Sequence, residues 1–270
     1  MKAKSRKRLL ISSVAMLLVA MLALGTATFA WFTQNTTATA SGISVRTSKT
    51  SSLLISDDTQ EYASSFTYQD VQPVMFPSSS IDGSHWFYTY ATKSDNFGSG
   101  SNTISAIPNS PANKYVFVDQ LNIKNDGDVT VGEITITVGN WSTSTTYLNM
   151  ALVPVATKTT GGDTDMTADQ FRSNIYSDSA SGYYPVTAAG ALQAEPAEGA
   201  EDTRTKITPT AKTASSWTIN VADLAANAEA HYNLFIWFEG QDEQCYDNNA
   251  GQGISGMTFT VTGTPVAKTN

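Results

Sequence analysis

Apolar and polar residues alternate with a period of two along much of the chain, in windows dense in Val, Ile, Thr, Tyr and Phe. Successive side chains of a strand point to opposite faces, so this pattern predicts half-buried β-strands. The clearest are Lys114–Lys124, Val129–Val138, Tyr147–Ala156, Ser216–Val221, His231–Glu239 and Met257–Val261. Weaker alternation marks Gly42–Thr47, Ser52–Ser56, Ser65–Tyr68 and His85–Ala91. Leu234-Phe235-Ile236-Trp237-Phe238 is apolar on both faces, which predicts a strand covered on both sides at the centre of a sandwich. Asn125-Asp126-Gly127-Asp128 supplies residues that tolerate positive φ, and predicts an antiparallel hairpin between the 114–124 and 129–138 strands. Helical signals are few. Thr167-Ala168-Asp169-Gln170 reads as a capping box opening a short helix toward Ile175, and Ala222–Ala228 as one helical turn. Thr187–Ser215 mixes Ala, Glu, Pro, Gly and Thr without period and reads as a flexible, solvated insertion. The class expected is all-β, with long loops and one or two short helices.

The amino-terminal end follows a different pattern. Lys2, Lys4, Arg6, Lys7 and Arg8 precede an apolar run from Leu9 to Leu24, which breaks at Gly25-Thr26 and reaches the small residues of Thr28-Phe29-Ala30. Residues 1–30 therefore read as a helical, cleavable secretory signal peptide, with the cut between Ala30 and Trp31. The competing reading is a retained anchor, because Leu9–Phe32 at about 1.5 Å per residue is long enough to cross a ~30 Å hydrocarbon core. A lipoprotein signal needs a cysteine at the cut, and the only one is Cys245. Thr264–Asn270 carries neither an apolar tail nor a Leu-Pro sorting motif, so any tether is expected to be noncovalent, with membrane contact only through an uncleaved signal. The division expected is a signal at 1–30, a mature N-terminal segment at 31–48, and a β-sandwich at 49–270 with its insertion near 187–215.

Charge narrows the partners. Losing the signal removes five basic residues and no acid, taking the formal charge from −8 to −13. Such a surface repels phosphate backbones, which argues against nucleic acid, and tolerates divalent cations or a cationic wall component. With one cysteine there is no internal disulfide, so the core alone must hold the fold.

Catalytic patterns are missing. His85 and His231 form no His-Glu-x-x-His pair, Cys245 has no base at a recognisable spacing, and the Ser255 region, Gly-Gln-Gly-Ile-Ser-Gly-Met, lacks the Gly-x-Ser-x-Gly elbow. No catalytic residue, cofactor site or metal site is expected, and the chain does not read as an enzyme. Asp57-Asp58, Asp163 with Asp165, and Glu239 with Asp242, Glu243 and Asp247 are weak calcium candidates, better explained as loop acids. Trp86-Phe87-Tyr88 and Tyr183-Tyr184 could stack on sugars, although aromatics in β proteins more often cover a core.

Two stretches carry a resemblance. Gly25-Thr26-Ala27-Thr28-Phe29-Ala30-Trp31-Phe32-Thr33, followed by Thr37-Ala38-Thr39-Ala40-Ser41-Gly42-Ile43, resembles the signal and mature start of the TasA/camelysin family, exported Gram-positive proteins processed by a SipW-type signal peptidase. Leu121–Val129 is similar to the Asn-x-Gly hairpin of those proteins, and Trp237-Phe238-Glu239-Gly240-Gln241-Asp242-Glu243-Gln244-Cys245 to a Trp-x-Glu-Gly-x-Asp-x-x-Cys signature of clostridial relatives. The resemblance implies a single jelly-roll-like β-sandwich and a secreted subunit of a biofilm-matrix fibre, in which the segment after the cut completes a sheet of the next subunit. Phe32–Val45 suits that part, being low in charge and ending in the alternation Ile43-Ser44-Val45. Trp31, Phe32, Ile43 and Val45 are the subunit contacts expected from it. Burial of two or three such side chains contributes about 1.5–3 kcal/mol each, and each backbone hydrogen bond about 1 kcal/mol, against an association cost of about 4–15 kcal/mol. Pairing of this strand within its own domain is the competing reading. The alternative functions are a monomeric binder of a glycan or wall polymer and, least favoured, a metal-dependent hydrolase.

Overall fold

The computed structural model describes residues 12–21, 52–57, 61–72, 74–90, 103–107, 114–139, 147–158, 166–178, 181–211, 216–245 and 253–266. The junction at Ala30-Trp31, the expected contacts Phe32, Ile43 and Val45, and the expected strand Gly42–Thr47 lie outside these residues. The chain divides into two units, Met1–Ser48 and Lys49–Asn270.

In the first unit, residues 12–21 form an exposed helix, α1. Its Ala, Leu and Met residues have high helix propensity. No helix among the described residues is long and apolar enough to cross a membrane.

The second unit is an all-β sandwich. A six-stranded sheet has the order β1-β6-β12-β8-β9-β10, made of β1 (Leu53–Ser56), β6 (Val116–Asn125), β12 (Glu229–Phe238), β8 (Leu148–Val155), β9 (Ile175–Ser177) and β10 (Thr210–Ala211). A four-stranded sheet has the order β11-β7-β13-β2, made of β11 (Trp217–Val221), β7 (Val131–Gly139), β13 (Ile254–Pro265) and β2 (Ser65–Gln72). A smaller sheet holds β3 (Ser78–Ser79), β4 (Phe87–Tyr90) and β5 (Thr103–Ala106). The two large sheets meet through Tyr68 of β2, whose ring packs edge-on against Phe117 of β6 at 5.3 Å while its hydroxyl donates to Asp119 at 2.9 Å. They meet again where the Trp217 indole N–H of β11 donates to the Ser177 carbonyl of β9 at 3.1 Å.

All six of the clearest predicted strands are present. The 257–261 strand extends to twelve residues as β13, because Gly256, Gly263 and two register shifts interrupt the alternation that would have marked its ends. Three weaker predictions correspond to β1, β2 and β4, whereas β3, β9 and β10 are only two or three residues long, too short to display a period, and the four-residue β5 is not among the predicted strands.

Β12 pairs antiparallel with β6 on one side and β8 on the other. Its last seven residues, Tyr232–Phe238, are all buried. Ile236 shares its register with Phe117 and Met150 on the face toward the second sheet. Phe235 and Trp237 face the opposite way, into a cluster with Trp86 and Phe171: Trp86 lies 5.2 Å from Trp237 edge-on, and Phe171 stacks on Trp237 at 5.7 Å. Trp86, one of the rings that could stack on sugars, is therefore partly buried as cover for the core.

Two local devices deliver those covering rings. The Thr167 capping box is formed, with Thr167 Oγ1 accepting from Gln170 N and Gln170 Oε1 accepting from Thr167 N, and it opens α2 (Ala168–Ser173), which buries Phe171 completely. The helix ends at Ser173 instead of reaching Ile175, which starts β9. Before β4, Gly83 adopts φ +73°, and a Cβ there would stand 2.6 Å from Phe171 Cδ2, so this close turn requires glycine. Its carbonyl accepts from the Trp86 indole at 2.8 Å.

The predicted hairpin is not one. Β6 lies in the six-stranded sheet and β7 in the four-stranded sheet, so Asn125–Asp128 is an arch carrying the chain across the sandwich. The buried Asn125 builds it: Oδ1 accepts from Gly127 N at 3.0 Å, and Nδ2 reaches the carbonyls of Val129 (2.8 Å), Leu224 (3.0 Å) and Ala225 (3.0 Å). The side-chain and backbone chemistry of a tight turn is present, but those two distant carbonyls direct it between layers. Ala222–Ala228 is not helical either. Leu224 bridges to Val131, and a turn follows with Asn227 at φ +60°.

The 187–215 segment, expected as a flexible, solvated insertion, is irregular over its described part but pinned at several points. Gln193 Nε2 donates to the carbonyls of Pro185 (2.7 Å) and Thr205 (3.1 Å), while Gln193 Oε1 accepts from Thr205 N (2.6 Å). Tyr183 bridges to Ile207, and β10 pairs in parallel with β9. One carboxamide satisfying three backbone groups leaves no periodic trace in the sequence.

Replacing Asn125 removes the side-chain donor that Val129, Leu224 and Ala225 share, while Leu224 keeps Val131 N and Ala225 keeps Ala228 N, so the loss is set by the lost bonds and by the buried groups left unsatisfied, at about 1–3 kcal/mol for each such group. Asn125→Ala is expected to destabilise the protein by about 3 kcal/mol in urea unfolding. Asn125→Asp, which keeps the acceptor and loses the donors, is expected to cost at least as much at neutral pH. A loss below about 1 kcal/mol in both variants would show that the arch does not depend on this side chain.

Candidate functional site

Beyond Phe238 the chain leaves β12 through Glu239-Gly240-Gln241-Asp242-Glu243-Gln244-Cys245. Its first two residues are clamped by backbone hydrogen bonds, Glu239 N to Tyr147 O at 2.8 Å and Gly240 N to Ser78 O at 2.9 Å. The turn then closes on itself. Asp242 N donates to Glu239 O at 3.1 Å, Cys245 N to Asp242 O at 2.9 Å, and Gln244 N to Asp242 Oδ1 at 2.9 Å.

Glu239 is fully buried. Oε2 accepts from the Trp237 indole at 3.0 Å and Oε1 from Gln241 N at 3.0 Å. Ser79 and Tyr183 also hydrogen-bond to this carboxyl, and the Tyr183 hydroxyl accepts from Asn149 Nδ2 at 2.9 Å. Burial pushes the Glu239 carboxyl up to about 8, with the Trp237, Ser79 and Gln241 donors pulling it back and the Asp242 charge adding to the rise. Burial likewise raises Asp242, and it raises the Tyr183 hydroxyl and the Cys245 thiol well above their ordinary values, with Glu239 contributing to both of the latter.

The Trp-x-Glu-Gly-x-Asp-x-x-Cys signature therefore folds into a clasp at the end of the central strand. Glu239, grouped by sequence with Asp242, Glu243 and Asp247 as a calcium candidate, turns its oxygens to Trp237 and Gln241. Asp247 lies outside the described residues, among which no three His, Cys, Asp or Glu side chains are grouped to hold a metal ion. Cys245 is buried and forms no disulfide within the chain. The histidines stand apart. His85 Nδ1 lies 2.8 Å from Asp82 Oδ2 in the turn before β4, and His231 on β12 donates to Asn122 Oδ1 at 2.7 Å, burial lowering its pKa.

On its outer side the clasp forms one wall of a cleft of about 550 Å³. The other wall is the pinned loop, which brings Tyr184, Glu195, Arg204 and Lys206 opposite Asp242 and Glu243. The Arg204 guanidinium lies 3.8 Å from the Tyr184 ring centroid and bonds to both Asp202 oxygens at 2.9 Å. The Tyr184 hydroxyl donates to the same carboxylate at 3.0 Å, which fixes the ring. Of the paired tyrosines read as a sugar platform, Tyr183 is buried in the clasp and Tyr184 stands in the cleft. Arg204 and Lys206 sit in an aperiodic segment, where nothing in the sequence marks them. Their spacing of two around Thr205 carries no recognisable motif.

A carboxyl raised in the folded state contributes stability that is complete below its unfolded value near 4.5 and is lost as pH rises toward about 8. Wild-type stability, measured by urea unfolding across pH 5 to 8.5, is expected to fall with pH at up to about 1.4 kcal/mol per unit from this group. Glu239→Gln is expected to flatten that slope; an unchanged slope would show that Glu239 does not titrate in this range. Cys245 is expected to resist alkylation in the native protein and to react on unfolding, with labelling followed by mass spectrometry. Rapid native labelling would show that the clasp opens. No family model matches this sequence, and no curated protein or solved structure is significantly similar to it.

Proposed function

We propose that this chain is an exported structural protein, a subunit of an extracellular or biofilm-matrix fibre that self-associates through the segment following its signal peptide. Its site of action is the cell surface or the surrounding matrix, and no catalytic step is involved. The observation that supports this reading best is the set of terminal strands in the sandwich. Among the described residues its two large sheets end on β1 and β10 and on β11 and β2, with β1 bridged at Ile55 to Ala63. A terminal strand offers backbone groups to which another strand can add, which is the general basis of strand addition between chains. The segment 31–48 leads directly toward β1 in sequence and contains the strand-like Ile43-Ser44-Val45, with no acid among its residues.

Main-chain pairing tolerates many side chains but not proline, which lacks the donor. The secreted protein is expected to form fibres visible by negative-stain electron microscopy. The double change Ile43→Pro and Val45→Pro is expected to leave discrete particles with an unaltered far-ultraviolet circular dichroism spectrum. Wild-type protein that stays monodisperse under all conditions, or variant protein that assembles as well as wild type, would overturn the proposal.

A further inference from the structure

The cleft between the clasp and the 181–211 loop is a separate feature from the sheet edges, and its lining selects a ligand class. Its volume of about 550 Å³ falls within the range of about 300–1,000 Å³ usual for small-ligand sites. Apart from Leu192 and the tyrosine rings, the side chains lining it are polar or charged, so an acyl chain or apolar ligand would find little to bury against. Both walls are pinned, one by Gln193 and the other by the hydrogen-bonded turn at 239–245. Gly182 is also in the lining, next to the Lys206 stem.

Charge then decides between polar ligands. Arg204 faces the cleft with its charge matched by the bidentate contact to Asp202. Lys206 then stands in a lining with Glu195, which also acts on Arg204, with the exposed Glu243, and with Asp242, whose carboxyl burial raises, in a protein whose formal charge is already −8. An acidic polysaccharide is opposed by this balance, and a ligand combining hydroxyls with ammonium groups is favoured. Its hydroxyls meet the carboxamides of Gln241 and Gln244, and its ammonium groups meet carboxylates in charge-assisted hydrogen bonds.

We propose that this cleft binds an oligosaccharide carrying free amino groups, of the de-N-acetylated hexosamine class, with Glu195 and Glu243 receiving the ammonium groups. The site would hold the protein to an amino-sugar polymer of the wall or matrix whether or not the chain forms fibres.

The test is calorimetric titration of the secreted protein at pH 6 with a β-1,4-linked glucosamine tetrasaccharide, and with its fully N-acetylated counterpart. Saturable binding of the free amine is expected, with affinity for the acetylated sugar weaker by about tenfold or more. Glu195→Gln with Glu243→Gln is expected to weaken binding by a similar factor at an unchanged melting temperature, since both side chains are exposed. Glu198→Gln with Glu201→Gln, an equal change of charge on exposed residues outside the cleft lining, is expected to alter affinity less than about twofold. Absence of saturation, equal affinity for the acetylated sugar, or equal weakening by the two double variants would overturn the proposal. The last result would assign binding to the overall acidity of the surface.

Discussion

Burial of one strand on both faces is the constraint on which the rest of this sandwich depends. Β12 sits between β6 and β8, so its backbone groups are used in both directions, and its run of large apolar side chains needs cover above and below. Fully burying a side chain of this kind is worth about 1.5–3 kcal/mol, which is lost wherever the cover is incomplete. The facing sheet covers one side. The other is covered piecemeal by Phe171 from a six-residue helix and by Trp86 from a turn that only glycine at position 83 permits. Short elements with little stability of their own are therefore held in place by the strand they cover.

The end of the same strand presents the opposite problem, a carboxyl group buried from solvent. Glu239 is accommodated by surrounding it with donors from Trp237, Ser79, Gln241 and Tyr183 and by favouring its protonated form. Those donors come from β12, β3, the clasp and the loop before the cleft, so a single acid ties four segments together. Because residues 241–244 continue directly from this acid into the cleft wall, the polar core and the external surface share one support.

The two proposals fall on two kinds of surface. A sheet edge presents backbone groups, the chemistry that the proposed self-association would use. The cleft presents fixed polar side chains, the chemistry that the proposed sugar binding would use. The arch at Asn125 bears on the first, because carrying consecutive strands into different sheets makes a two-layer structure with terminal strands instead of a run of local hairpins. The pinned loop bears on the second, because it places Tyr184, Arg204 and Lys206 opposite the clasp.

What the amino-acid order determined by itself is what depends on local periodicity. Six strands, the doubly covered Leu234–Phe238 segment and the Thr167 capping box are visible because each arises from side chains a few positions apart on one element. The candidate site was only half visible. The Glu239–Cys245 signature stood out, but its acids read as loop acids and weak calcium candidates, since nothing local reveals that Trp237 and Tyr183 enclose the first of them. Tertiary structure alone decided that Asn125–Asp128 crosses between layers, because the carbonyls that claim the Asn125 amide are Leu224 and Ala225, about a hundred residues away. It also decided that an aperiodic loop is pinned and forms half of a cleft. A hydrogen bond from one glutamine to distant backbone groups depends on where the folded chain passes, and leaves no period in the sequence to read.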